Sequence, residues 1–157
     1  MKPIVKLSII VDALNSQFDE NTSYLDKNTG DVIVISDEEF RAADEGKPLD
    51  DYPEWQRPSI EIAKKIIDND ISSLIELPSK FEIDEYRMME KFILSLQDDT
   101  ISEKLYLAIK GSGAFRRFKA TIDQFGLTKE WYNHRDAAYK ELAIEWCSEN
   151  NINYIDE

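Results

Sequence analysis

The chain has one cysteine and one histidine in 157 residues. A lone Cys147 leaves no internal disulfide, and secreted domains commonly carry an even number of cysteines, so the expected compartment is the reducing cytoplasm. Cys147 and His134 lie 13 residues apart on one predicted helix. That is about 20 Å of rise, too far for a nucleophile and its base to meet within the helix. His134 and Glu130 share a face, but they lack the further ligands and the HExxH pattern of a zinc site. Glycine and proline are scarce, five of each, which argues against a disordered, low-complexity chain. The glycines also fit neither the GxxxxGK[ST] phosphate loop nor a strand-to-helix GxGxxG. No stretch free of Lys, Arg, Asp and Glu exceeds six residues. A membrane-spanning helix needs about 20 mostly apolar residues, so none is expected. The opening MKPIVKLSIIVDALN has Lys6 inside its apolar run and no small-residue cleavage pattern, and reads as mature protein.

What the chain has in excess is acid, with a formal net charge of −13. Residues 1–100 hold 11 basic against 23 acidic side chains, a balance of −12, and residues 101–157 hold 8 against 9. One basic island stands out: Lys104, Lys110, Arg116, Arg117 and Lys119, with no acidic residue between positions 104 and 122. A field of this sign repels DNA and RNA at long range, so a dedicated nucleic-acid binder is not expected even though the island persists locally.

Periodicity supplies the elements. Leu7, Ile10, Val11, Leu14 and Phe18 follow the i, i+3, i+4, i+7 spacing of an amphipathic helix. Thr22–Leu25 and Val32–Ser36 flank a polar loop containing Gly30 and predict a β-hairpin. Ser36 and Glu39 have capping-box spacing, and Gly46 followed by Pro48 ends the short helix they open. After an exposed connection, LDDYPEWQRP, Pro58 suits the first turn of a helix with an Ile60, Ala63, Ile67 stripe, which SLIELPSK then breaks. Asp84 is placed to cap the next helix, with Ile83 and Met88 as its hydrophobic staple and Tyr86, Met89, Ile93 and Leu96 repeating below. Thr100 and Glu103 suggest a second capping box, with Leu105, Ala108 and Ile109 inward and Gly111 at the left-handed C-terminal position. Phe115, Phe118, Ile122 and Phe125 define the inner arc of the helix that follows. Thr128 opens a long helix with Trp131, Ala138, Tyr139, Leu142 and Trp146 inward, and INYI is expected as an edge strand beside the hairpin. The expected fold is α+β: one mostly helical domain over residues 1–157, with an N-terminal hairpin and C-terminal helices around an aromatic core.

Two places are candidates for contact with something else. In GSGAFRRFK the glycines make a tight corner, and a helix N-terminus beside Arg116 and Arg117 is a plausible anion site, comprising Gly113, Arg116, Arg117 and Lys119. The plainer reading pairs the arginines with acidic groups such as Asp37, Glu38, Glu39, Asp98 or Asp99, and it is preferred. In DDYPEWQRP, Tyr52 and Trp55 are the candidate protein-contact residues, because aromatics in an exposed acidic loop are poorly explained by packing. The alternative is that Trp55 folds back on the helix it precedes. Elsewhere, Glu82 with Glu85 and Glu141 with Glu145 cannot be told from solvated helix surface. Tyr24, Tyr132 and Tyr139 read as packing residues, and Cys147 beside Trp146 reads as a small buried one.

GSGAFRRFK, WYNHRDAAY and AIEWCSENNI together resemble the C-terminal signature of uncharacterised protein family 0158, and LDKNTGDVIVISDEEF is similar to that family's N-terminal segment. The resemblance implies a bacterial origin and supplies no reaction and no catalytic residues. The functional expectation is a non-enzymatic cytoplasmic protein-interaction or regulatory domain, with no cofactor, no metal and no membrane partner. The alternative is anion or nucleic-acid binding through the basic corner.

Overall fold

A computed structural model describes residues 3–157. The chain forms strand β1 (Val5–Lys6), helix α1 (Leu7–Asn15), strands β2 (Asn21–Asp26) and β3 (Val32–Ser36), and helix α2 (Asp37–Glu45). Two 3-10 turns, Leu49–Asp51 and Glu54–Gln56, lead to α3 (Arg57–Ile67), β4 (Leu74–Glu76) and α4 (Lys80–Ile83). Helices α5 (Glu85–Ser95), α6 (Asp99–Ala108), α7 (Ala114–Gln124) and α8 (Thr128–Glu149) follow, and β5 (Tyr154–Ile155) closes the chain. This is the expected α+β class, dominated by helix with small sheets.

The residues divide into two compact units, one running up to Ile83 and including Leu142–Glu157, the other Asp84–Glu141. In the first, β2 pairs antiparallel with β3, Leu25 opposite Val32 and Thr22 opposite Ile35, as the hairpin pattern predicts. Ser36 Oγ accepts from Glu39 N at 3.1 Å while Glu39 Oε1 accepts from Ser36 N at 2.9 Å. This reciprocal cap explains why Glu39 is buried. Gly46 then ends α2 in the left-handed region, φ 70°. Ile35, Ala42, Ala43, Ile60 and Ala63 form the core under this sheet, with Phe40 and Tyr52 packed at its margin.

Three expectations for this unit are corrected, and one strand is added. Helix α1 stops at Asn15 and Phe18 is 60% exposed, because the chain turns away to let Gln17 Nε2 donate to the Pro78 carbonyl at 2.7 Å. Ile67, in the last turn of α3, is exposed rather than part of its buried stripe. SLIELPSK contains a strand: β4 takes the free edge of β2, pairing Tyr24 with Glu76. The INYI segment does not join the hairpin, whose sheet has the order β3-β2-β4. Instead β5 runs parallel to β1, Val5 opposite Tyr154.

The second unit is helical around a ring cluster. Phe92 of α5, Phe118 of α7 and Trp131 of α8 meet edge to face, with centroids 4.8 to 6.2 Å apart. His134 stacks at 6.1 Å on Trp131 and meets Phe92 edgewise, so the chain's one histidine is a member of this aromatic core. Asp84 caps α5 from the left-handed region, accepting from Arg87 N, and Ile83 and Met88 are both buried. The cap of α6 is Asp98, not Thr100: one carboxylate oxygen accepts from both Thr100 N and Ile101 N, and a charged acceptor at a helix N-terminus outcompetes a hydroxyl. Gly111 is left-handed as expected, but α6 already ends at Ala108. The inner arc of α7 is also displaced. Ala114, Phe118 and Ile122 are buried at i, i+4, i+8, whereas Phe115 is 47% exposed.

Phe118 is 1% exposed and touches two other rings, so Phe118→Ala is expected to cost about 3–5 kcal/mol as a large-to-small core change. Phe115→Ala should cost under about 1 kcal/mol. Chemical denaturation of the two variants checks the difference. Similar losses from both would show that the arc of α7 is drawn wrongly.

Candidate functional site

The basic corner is built around one guanidinium. Gly111 and Gly113 both take φ 79°, a conformation that costs glycine little, and this turns the chain sharply between α6 and α7. Arg117 reaches back across the turn. Its Nε donates to the Ala108 carbonyl at 2.8 Å, Nη1 to Ser112 at 2.5 Å and Nη2 to Lys110 at 2.5 Å. The Ala108 carbonyl is at the C-terminal end of α6, where a cation is favoured by the negative end of the helix dipole, and those of Lys110 and Ser112 belong to the turn that follows. A Cβ on Gly113 would lie 2.9 Å from Arg117 Nη1, so glycine also leaves the room the guanidinium needs. Arg117 thus pairs with backbone carbonyls rather than with any of the acidic side chains considered from sequence. Arg116 and Lys119 are exposed on the same helix, and neither has a hydrogen bond or ion pair among the described residues.

Beside this corner lies a groove of ≈ 250 Å³ lined by Glu85 and Met89 of α5, Phe115, Phe118 and Lys119 of α7, and Trp131, Tyr132 and Arg135 of α8. Each helix contributes residues four apart, which stack on one helical face and so converge on the same space. The charged wall is a hydrogen-bonded network. Glu85 Oε1 accepts from Arg135 Nε at 2.9 Å, from Arg135 Nη2 at 2.6 Å and from the Tyr139 hydroxyl at 2.5 Å. The Arg135 guanidinium also lies over the Tyr139 ring, 4.4 Å from its centroid. Burial alone would raise the Glu85 pKa, but hydrogen bonds from Tyr139 and Arg135 and the charges of Arg135 and Lys119 hold it below the ordinary value. Burial, and then the bond to Glu85, push Tyr139 well upward. Burial also pushes the Cys147 thiol up to about 11. Cys147 lies in the first unit and does not line the groove.

The acidic loop shows its two aromatics in different settings. Tyr52 is half-buried beside the first unit's core, and its carbonyl accepts from Arg57 Nε at 3.0 Å. Trp55 is 76% exposed. Its 3-10 turn follows Pro53 and is held by Gln56 N donating to the Pro53 carbonyl at 3.0 Å, with Gln56 itself buried. Tyr132, read from sequence as a packing residue, is 44% exposed at the groove. Glu85 was indistinguishable from its neighbour Glu82, yet Glu82 serves only as a reciprocal cap with Ser79. The signal that separates them is Arg135 with Tyr139, four apart on the inner side of α8.

The model of the Uncharacterised protein family (UPF0158) matches residues 1–157, the whole chain, which belongs to that family. No curated protein and no solved structure matches it.

Because the folded Glu85 carboxyl titrates below the ordinary 4.5, its contribution to stability is fully present above that value and fades as pH falls through the folded pKa. Glu85→Gln should therefore lower the thermal midpoint clearly at about pH 7 and much less at about pH 3. An equal loss at both values would mean the network gains nothing from ionisation. Arg117→Met should cost about 1–3 kcal/mol by leaving the carbonyls of Ala108, Lys110 and Ser112 without their donor, and urea melts measure it.

Proposed function

We propose that this UPF0158 member is a non-enzymatic cytoplasmic interaction module that engages a protein partner through the Trp55 turn. The observation that carries this reading is a tryptophan 76% exposed on a turn whose backbone is already ordered. An exposed indole is stabilised by covering it, and tryptophan is among the residues most enriched at the energetic centres of interfaces. A pre-ordered turn also loses little conformational freedom on binding. Around it stand Asp50, Asp51 and Glu54, all exposed and without ion pairs among the described residues. The fitting partner presents an apolar pocket with a basic rim. Tyr52 supports the turn from below rather than contributing the anchor.

A net charge of −13 works against a nucleic-acid partner. No helix among the described residues is long and apolar enough to cross a membrane. The lone cysteine favours a reducing compartment.

Trp55→Ala should change folding stability by under about 0.5 kcal/mol while weakening a purified partner's binding by about tenfold or more. The partner is obtained by affinity capture on the wild-type chain and its affinity is then measured by calorimetry for both proteins. Equal affinities would remove Trp55 as the anchor, and a large stability loss would assign it to packing.

A further inference from the structure

We infer that the groove between α5, α7 and α8 is a docking site for an acidic peptide segment carrying one aromatic side chain. Its volume of ≈ 250 Å³ falls below the roughly 300–1,000 Å³ typical of small-molecule and cofactor pockets. It has room for a side chain rather than for a nucleotide. The surfaces that would receive a ring are in place: Phe115 and Tyr132, 47% and 44% exposed, flank an opening that also reaches Phe118 and Trp131.

Charge selects the rest of the ligand. Arg135 and Lys119 face the single carboxylate of Glu85, which leaves an excess of one positive charge among the lining residues. Arg116 adds a second unpaired cation three residues before Lys119 on α7, close enough along the helix to meet the same peptide. Asp84–Glu141 holds 10 acidic and 10 basic side chains, so this unit is neutral while the remaining residues carry the full −13. An acidic segment therefore meets local attraction without net repulsion from the unit it docks on. Nucleic acid is disfavoured, since two free cations would release only about two counterions, against the 6–10 phosphate contacts that make such binding strong. This site is separate from the Trp55 turn, and the two proposals stand or fall independently.

The test uses the full chain and a short fluorescein-labelled peptide of glutamates around one phenylalanine, read by fluorescence anisotropy. Saturable binding is expected, weakened about tenfold by Phe115→Ser and by Lys119→Gln, with both variants keeping the wild-type thermal midpoint. A peptide of glutamates alone should bind at least about tenfold more weakly. Equal binding of the two peptides would overturn the proposal, as would binding that neither variant alters. Tighter binding of an oligothymidylate than of the peptide would replace it with a nucleic-acid site. Concentration-dependent self-association in sedimentation, lost on Phe115→Ser, would assign the groove to a second copy instead. Should one variant prove unstable, the other and the comparison of peptides still decide.

Discussion

The guanidinium of Arg117 decides the geometry of the second unit. Hydrogen-bonded to the carbonyls of Ala108, Lys110 and Ser112, it clamps the end of α6 to the first turn of α7 and sets the direction in which α7 leaves the corner. With that direction fixed, Phe118 enters the ring cluster of Phe92 and Trp131, and Phe115 and Lys119 fall one step round the helix, toward the groove. A lysine could satisfy one carbonyl at a time. The planar fork can hold several at once.

Much of the fold was legible because its signals are local. The Ser36 and Glu39 cap, the hairpin around Gly30 and the Asp84 cap need only neighbours within a few residues, and each formed as spaced. Apart from the local choice of Asp98 over Thr100 as a cap, the misreadings come from packing and pairing that local spacing does not set. Whether Ala114 or Phe115 starts the inner arc of α7 depends on a rotation of one residue, which periodicity alone does not resolve. Strand β4 is three residues without alternation, and it is a strand because β2 has a free edge for it. INYI pairs with β1, more than 140 residues away in sequence, which no local pattern marks.

The candidate sites were legible in different degrees. GSGAFRRFK stood out as the basic cluster in an acidic chain, and Lys119 does line the groove. The partners of Arg117 left no trace in sequence, since its acceptors are main-chain carbonyls that every residue has. Glu85 was hidden among 32 acidic side chains, and only its meeting with Arg135 and Tyr139 distinguishes it. Trp55 was more readable because an apolar ring among Asp50, Asp51 and Glu54 conflicts with its surroundings.

The pairing of β1 with β5 sets an order of assembly during synthesis. The first unit takes its closing segment from Leu142–Glu157, which leaves the ribosome after every residue of Asp84–Glu141. The helical unit therefore has its full sequence available first, while Val5 and Lys6 wait for Tyr154 and Ile155. Val5 and Lys6 are thus translated well before the residues they pair with. During that interval the β1 edge is open to pairing with other chains, and its brevity, two residues, limits the hazard.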